Sequence, residues 1–477
     1  MDSAHSAVHN KTELHNGPND HTWRLNFDTL VYMMNEFDMR QKDLVALMSM
    51  CHSLRRAGVR ALLDRHAGSI QPFLSPACLS SFCAFMEADF PSRCAHLRRR
   101  LDLTIFRPID AYNPGDLNSF TRIVVNSPNI TCLILDSVLY VRLATLNPEF
   151  HRSFHSRSSL QSLWITMDEN STPDMITYLR EWSVPALSDY EIMGEPINWQ
   201  LIEPFYSTIS SLHLQGLALD FSQWRPCEHV THLILQDLPW FALPDHLPCL
   251  FPNLESLDIF DTDWSEDDAM TGVIPDHIVQ DLREKHTRNL RNVQNSTVTT
   301  WSHLQTIRAD LHVIYGLALT CSVDQLVIEP QFSLESARHF LVDSIRSMRA
   351  TKSITFEIQV PELTINTLME LRQVFVDCDF TKTECLKPEI SFIHVNHTRV
   401  HSFVVNMMFE VMQYFQRTSS SQDSRVWAWM WRQNDEDLRY QFVCKRVRDA
   451  SEFEEEWGDD WSDIIFSAPL PSDIPSS

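Results

Sequence analysis

TISSLHL at residues 208–214 and HVTHLIL at residues 229–235 carry the same pattern. Leu212 and Leu214 flank a polar residue, and Leu233 and Leu235 stand at the same alternate positions. That is the period of a β-strand with one buried face. Outward from this pair the pattern recurs as NITCLIL (129–135), SLQSLWI (159–165), ALSDYEI (186–192), NLESLDI (253–259), HLQTIRA (303–309), SVDQLVI (322–328) and KSITFEI (352–358). The recurrence is roughly every 20–30 residues, the spacing of stacked repeats that bury one short strand each. A single such strand has too little apolar surface to stay buried alone, and stacking its neighbours in parallel makes a continuous core. Helical patterns lie between the strands. TPDMITYLREW has Met175, Tyr178, Leu179 and Trp182 on one face, and SLESARHFLVDSIRSM has Leu334, Ala337, Phe340, Leu341 and Ile345. Strands alternating with helices imply parallel pairing with helical crossovers.

The unit, Leu-x-x-Leu-x-Leu or its Ile, Val and aromatic equivalents, is that of leucine-rich repeats, here in irregular form. The Asn that closes each turn in regular repeats is missing, and the interval from Leu254 to Leu304 is much longer than one repeat. That interval holds an acidic stretch, read as a surface loop, and a helical pattern from Ile278 to Leu290. In such strands the Leu positions point inward and the intervening residues outward, onto the concave face of the solenoid. The outward set is Trp164 with Thr166, Glu191 with Met193, His213 with Gln215, His232 with Gln236, Asp258 with Phe260, Arg308 with Asp310, and Gln325 with Glu329. Aromatic, imidazole and charged groups in this mixture suit a protein or peptide ligand better than a lipid or nucleic acid. From this set, Trp164, Glu191, His213, His232, Asp258, Phe260 and Arg308 are the expected substrate contacts.

Ahead of the repeats, residues 25–63 read LNFDTLVYMMNEFDMRQKDLVALMSMCHSLRRAGVRALL. Two helical stripes run through them: Leu30, Met33, Met34 and Phe37, then Leu44, Leu47, Met48, Cys51 and Leu54, with Asp43 placed to open the second helix. The stretch resembles the F-box-like motif that opens many fungal leucine-rich-repeat proteins. The family pattern starts Leu-Pro-x-Glu and continues with apolar residues at helical spacing, here Leu25, Asn26, Asp28, Leu30, Met33 and Phe37. Its second half, Asp-Leu, then an apolar residue and Cys, then Trp-Arg, corresponds to Asp43, Leu44, Met50, Cys51, Leu54 and Arg55. Asn26 and Leu54 stand where the family has Pro and Trp. A further run, Ser-Phe-Cys-x-Phe-Met at residues 81–86, is similar to one that such chains carry just downstream. The resemblance implies that Leu25, Asp28, Leu30, Met33, Phe37, Leu44, Leu47 and Cys51 contact the Skp-type adaptor of a cullin-RING ubiquitin ligase, while the repeats hold a protein substrate.

Composition narrows the alternatives. A net charge of −24 over 477 residues argues against nucleic acid and anionic membrane as partners, since both require positive potential. Only 9 glycines occur, and no GxGxxG, GxxxxGK[ST], GxSxG or HExxH is present, so phosphate loops and nucleophile elbows have no sequence support. The 11 cysteines are scattered with no CxxC, which suits a reducing compartment. No apolar run reaches the roughly 18 residues of a membrane span, and residues 1–20 have no apolar core of the signal-peptide kind. The expected location is therefore cytoplasmic or nuclear.

The expected organisation is α/β: a disordered arm (1–22), a short helical F-box-like unit (23–66), a junction helix (67–95), an irregular leucine-rich-repeat solenoid with parallel strands (96–400), a cap (401–447) and an acidic, largely disordered tail (448–477). In the junction, Ser75 is a good helix cap, Pro76 a good first residue, and Leu79, Phe82, Cys83 and Met86 share a face. In the cap, FVVNMMFEVMQYF reads as a helix, and VWAWMWRQ and LRYQFVCKRV read as a strand hairpin. His394, His397 and His401, with Cys378 and Cys385 upstream, have metal-ligand chemistry but no clamp-like spacing, and read as strand-end and surface residues. No catalytic, metal or cofactor site is expected. Two functions remain: a substrate-recognition subunit that works by proximity, or a leucine-rich-repeat scaffold whose helical unit is only a cap.

Overall fold

The computed structural model divides the chain into two compact units, Met1–Gly68 and Ser69–Ser477. In the first, residues 30–32, 34 and 41–64 are described. In the second, the described residues are those of 69–445 other than 99, 156, 195–196, 217–218, 220, 239–242, 244–245, 261–275, 296–299, 363–364, 379, 395–424 and 433–434.

The second unit is built on one 13-stranded sheet whose strands follow chain order without exception. These are β1 (Leu101–Leu103), β2 (Cys132–Asp136), β3 (Ser162–Thr166), β4 (Asp189–Met193), β5 (Ser211–Gln215), β6 (His232–Gln236) and β7 (Ser256–Phe260), followed by β8 (His303–Ala309), β9 (Ser322–Ser333), β10 (Ala350–Glu362), β11 (Thr383–His394), β12 (Arg425–Arg432) and β13 (Asp435–Lys445). The nine recurrent segments of the sequence are β2 to β10, adjacent and parallel throughout. Parallel pairing continues beyond them to β11 and β12, past residue 400, where the solenoid was expected to stop. Only β13 turns back, antiparallel to β12.

Register explains why the stack holds. Leu133, Leu163, Tyr190, Leu212, Leu233, Leu257, Ile307, Leu326, Ile354 and Leu386 face one another across the sheet. All of them are buried. A second buried row lies two residues on, through Leu135, Ile165, Ile192, Leu214, Leu235 and Ile259. Each fully buried aliphatic side chain contributes about 1.5–3 kcal/mol, so the rows are a large share of the core. The larger Tyr190 interrupts the leucines and brings its own partners. Its ring lies 5.2 Å from Phe205 and its hydroxyl donates to Leu201 O at 3.0 Å.

Short polar side chains turn strands into helices. Asp136, the last residue of β2, accepts from the Leu139 N–H at 3.0 Å and starts the helix Ser137–Leu146. Asp310, directly after β8, accepts from the His312 N–H at 2.6 Å and starts Leu311–Leu317. In place of a regular Asn ladder, hydroxyls and two asparagines bond back to the preceding repeat. Ser188, Ser210 and Thr231 donate to the carbonyls of Gln161, Ser188 and Ser210, and Asn129 and Asn253 to those of Ala95 and Glu228.

The long interval between β7 and β8 does not separate them, since Leu257 pairs with Ile307 directly. It contains the helix Asp276–Gln294, which buries polar as well as apolar groups. His286 stacks on Tyr315 with 4.1 Å between ring centroids, His286 Nδ1 lies 2.7 Å from Tyr315 O, and Asn289 Nδ2 donates to Gly316 O at 2.8 Å. Near the start of this unit the helix Pro76–Glu87 is capped by Ser75, whose Oγ accepts from the Cys78 N–H at 3.2 Å. Leu79, Cys83 and Met86 are buried on its inner face and Phe82 half-buried.

The first unit differs from its expectation in two respects. The second stripe is not one helix: it breaks at Cys51 into Gln41–Met50 and His52–Asp64. Asp43 sits inside the first turn of Gln41–Met50 and does not open it. The apolar face is satisfied internally, because Met34, Leu44, Leu54 and Ala61 form a buried cluster with Leu30, Val31, Leu47, Met48 and Leu62 packed on it. The arm (1–22), the expected helix around 403–415, His397, His401 and the acidic tail lie outside the described residues. His394 ends β11.

Candidate functional site

The outward face of the sheet gathers residues from eight or more successive strands into straight rows. One row runs, in register, through Asp102, Ile134, Trp164, Glu191, His213, Ile234, Asp258, Arg308 and Val327. Neighbours in it are spaced by the strand separation of about 4.8 Å. A parallel row two residues on holds Asp136, Thr166, Met193, Gln215, Gln236 and Phe260. A third, two residues earlier, holds Cys132, Ser162, Asp189, Ser211, His232 and Ser256. The expected contact residues therefore share one face, with His232 in the third row and Phe260 in the second.

Their neighbours make local groups. The Arg100 guanidinium covers the Trp164 ring at 3.7 Å, and the Trp164 indole N–H donates to Asp189 Oδ2 at 3.4 Å. The Ser162 hydroxyl donates to the same oxygen at 2.7 Å. Glu191 Oε2 lies 3.3 Å from His213 Nδ1, with both side chains largely covered. The other ring nitrogen, His213 Nε2, is buried without a hydrogen-bond partner. Glu191, the register neighbour of His213 in this row, is buried at 8 % exposure.

Farther along, Arg308 donates from Nε to Glu329 Oε2 at 2.8 Å and lies over the Phe260 ring at 4.9 Å. Burial raises the Asp258 carboxyl above the ordinary carboxylate range, while Arg308 and His232 pull it back. At the near end of β9, the hydrogen bond from Lys352, with His303 beside it, holds the Asp324 carboxyl below that range. Lys352 Nζ is 2.8 Å and His303 Nε2 3.5 Å from it. The rows mix aromatic, acidic, cationic and hydroxyl groups, with the Ser162 hydroxyl on Asp189 and the Thr231 hydroxyl 2.8 Å from His232 Nδ1.

The helical unit supplies a different surface. Of its expected adaptor contacts, Leu44 is buried at 1 % in the unit's own core, beside Met34, Leu54 and Ala61. Leu30 and Leu47 are half-buried against that core, and Cys51 is exposed. Leu25, Asp28, Met33 and Phe37 lie outside the described residues. Three apolar side chains that periodicity did not single out as contacts are the exposed ones: Tyr32 at 59 %, Val45 at 49 % and Met50 at 66 %. Their signal was their position just off the inner stripe. Arg100 and Asp189 were also missed on the sheet face, since each acts through a side chain of another repeat: Arg100, next to β1, through Trp164 two strands away, and Asp189 through Trp164 in the adjacent strand. Among the described residues no helix is long and apolar enough to cross a membrane. The chain matches no family model and no curated protein sequence.

Proposed function

We propose that the protein is a non-catalytic recognition subunit. The outward sheet face binds a protein segment, and the helical unit docks a second protein, of the Skp-type adaptor class, so that the bound segment is held near a ubiquitin-transfer machinery. The observation that carries the reading is the pairing of two surfaces on two compact units: rows of aromatic and charged groups on the sheet, and exposed Tyr32, Val45 and Met50 on the helices. Large exposed apolar side chains on a small unit mark a contact surface. Catalysis would come from proximity, raising the local concentration of a target lysine.

The test is binding of the full chain to a purified Skp-type adaptor, with Val45→Asp and Met50→Asp as variants. Both positions are exposed, so the unit keeps its core, and a charge buried against the adaptor would weaken binding by tenfold or more. Undiminished binding by both variants, or no binding by the parent, would remove the adaptor half of the reading. The scaffold alternative shares the sheet face. It is favoured by Leu44 and Leu47, which serve the unit's own core, and it predicts capture of a protein segment with no adaptor binding.

A further inference from the structure

On the helical side of the repeats, away from the sheet face, three metal-ligand side chains converge. His151 lies in the short helix Pro148–Arg152, His155 follows one turn later, and Glu181 comes from the next repeat, directly after the helix Thr172–Arg180. His151 Nε2 is 2.9 Å from Glu181 Oε2 and 2.9 Å from His155 Nε2, and His155 Nε2 is 3.4 Å from Glu181 Oε2. Among the described residues this group has its ligand atoms all within 4.8 Å of one another.

A triangle with these sides has a circumscribed radius of about 1.8 Å, so a point about 1 Å off its plane is about 2.0–2.1 Å from all three donors, the bond length of zinc to imidazole and carboxylate. Protons fill this space poorly. If both imidazoles carry Nε2–H, two donors face each other at 2.9 Å; if only one does, its single proton is shared between a carboxylate and a second ring. A cation satisfies all three at once.

The surroundings hold His151 in place. Its Nδ1 is 2.8 Å from the Tyr140 hydroxyl, which also accepts from the Trp182 indole N–H at 3.1 Å. Tyr140 is fully buried and His151 nearly so. With a metal on Nε2, the proton moves to Nδ1 and is donated to the tyrosine oxygen, the outer-shell arrangement that orients metal-bound histidine. His155 is half-buried and Glu181 exposed, so an ion has an entry path.

We propose that His151, His155 and Glu181 bind one divalent cation of the zinc class, with the fourth coordination position open to solvent. Three donors from two successive repeats make the ion a staple across the helical side of the stack. The proposal does not depend on the adaptor reading.

The experiment is equilibrium dialysis of the chelator-treated full chain against zinc chloride, and against cobalt chloride as a spectroscopic probe. His155→Ala and Glu181→Gln change the less buried ligands and are used in preference to His151 variants; circular dichroism confirms their fold. The expected result is one equivalent fewer of tightly held zinc in each variant than in the parent, or at least a tenfold weaker affinity for that equivalent. A visible cobalt absorption band of four- or five-coordinate intensity is expected in the parent and lost in His155→Ala. Equal zinc stoichiometry and affinity in parent and folded variants would overturn the proposal, as would a parent that takes up no zinc.

Discussion

Asp258 holds a charge on the outward sheet face at some cost to stability. Burial raises its carboxyl above the 3.8 of a free side chain, so folding disfavours its charged form. The penalty is fully present at neutral pH and disappears as pH falls below the range in which the unfolded chain's carboxyl titrates, about pH 4. Asp258→Asn is therefore expected to raise the melting temperature at pH 7, with the gain over the parent narrowing toward about pH 3. A loss at pH 7 would mean that the Arg308 attraction outweighs burial, and a gain constant with pH would mean that the effect does not come from the carboxyl's charge. Gly194 is constrained differently. Its φ is +100°, and an added Cβ would come within 2.5 Å of the backbone oxygen of Met167. Gly194→Ala combines a left-handed backbone with a clash against an atom that cannot rotate away. It is expected to cost about 1–3 kcal/mol, read as a lowered denaturation midpoint at unchanged slope.

Among the elements, the strands depend on each other more than on themselves. A five-residue strand such as β5 gains its stability from Leu212 and Leu214, which meet Tyr190 and Ile192 on one side and Leu233 and Leu235 on the other. Leu212→Ala leaves a cavity between two repeats and is expected to cost about 2–5 kcal/mol in urea denaturation. His213→Ala, between the same two leucines but on the outward face, removes a ring with an unpartnered nitrogen. It is expected to change stability by far less than Leu212→Ala and to lower affinity for any segment held on the sheet. Equal destabilisation by the two would contradict the assignment of faces.

For the molecule as a whole, the separation into Met1–Gly68 and Ser69–Ser477 has a direct consequence. The first unit closes its own small core, and the second is a continuous stack from β1 onward. A chain of residues 69–477 is expected to fold alone, with the main calorimetric transition within a few degrees of the parent's and adaptor binding gone. Aggregation of this piece, or a large drop in its transition, would show that the helical unit is needed as a cap. The sheet itself is closed at one end by the antiparallel turn-back of β13, which ends parallel propagation.

Alternation of Leu212 with Leu214, repeated at nine places, was enough to establish short strands, their parallel order and the side of the sheet on which Trp164, His213 and Asp258 lie. Period-two patterning decides which face a residue takes, and the repeat interval decides which strand comes next. The helix spanning Ile278 to Leu290 was legible for the same reason, as was the cap at Ser75. What periodicity could not decide was depth. Leu44 and Val45 are adjacent apolar residues, yet one closes a core and the other faces outward; Glu191 alternates correctly with its neighbours and is still buried, at 8 % exposure. Nor could it reach between repeats. The stacking of Arg100 on Trp164, and the meeting of His151 and His155 with Glu181, join residues that chain separation leaves unrelated. Such contacts are set by the register and spacing of successive turns of the stack, which exist only once the whole sheet has formed.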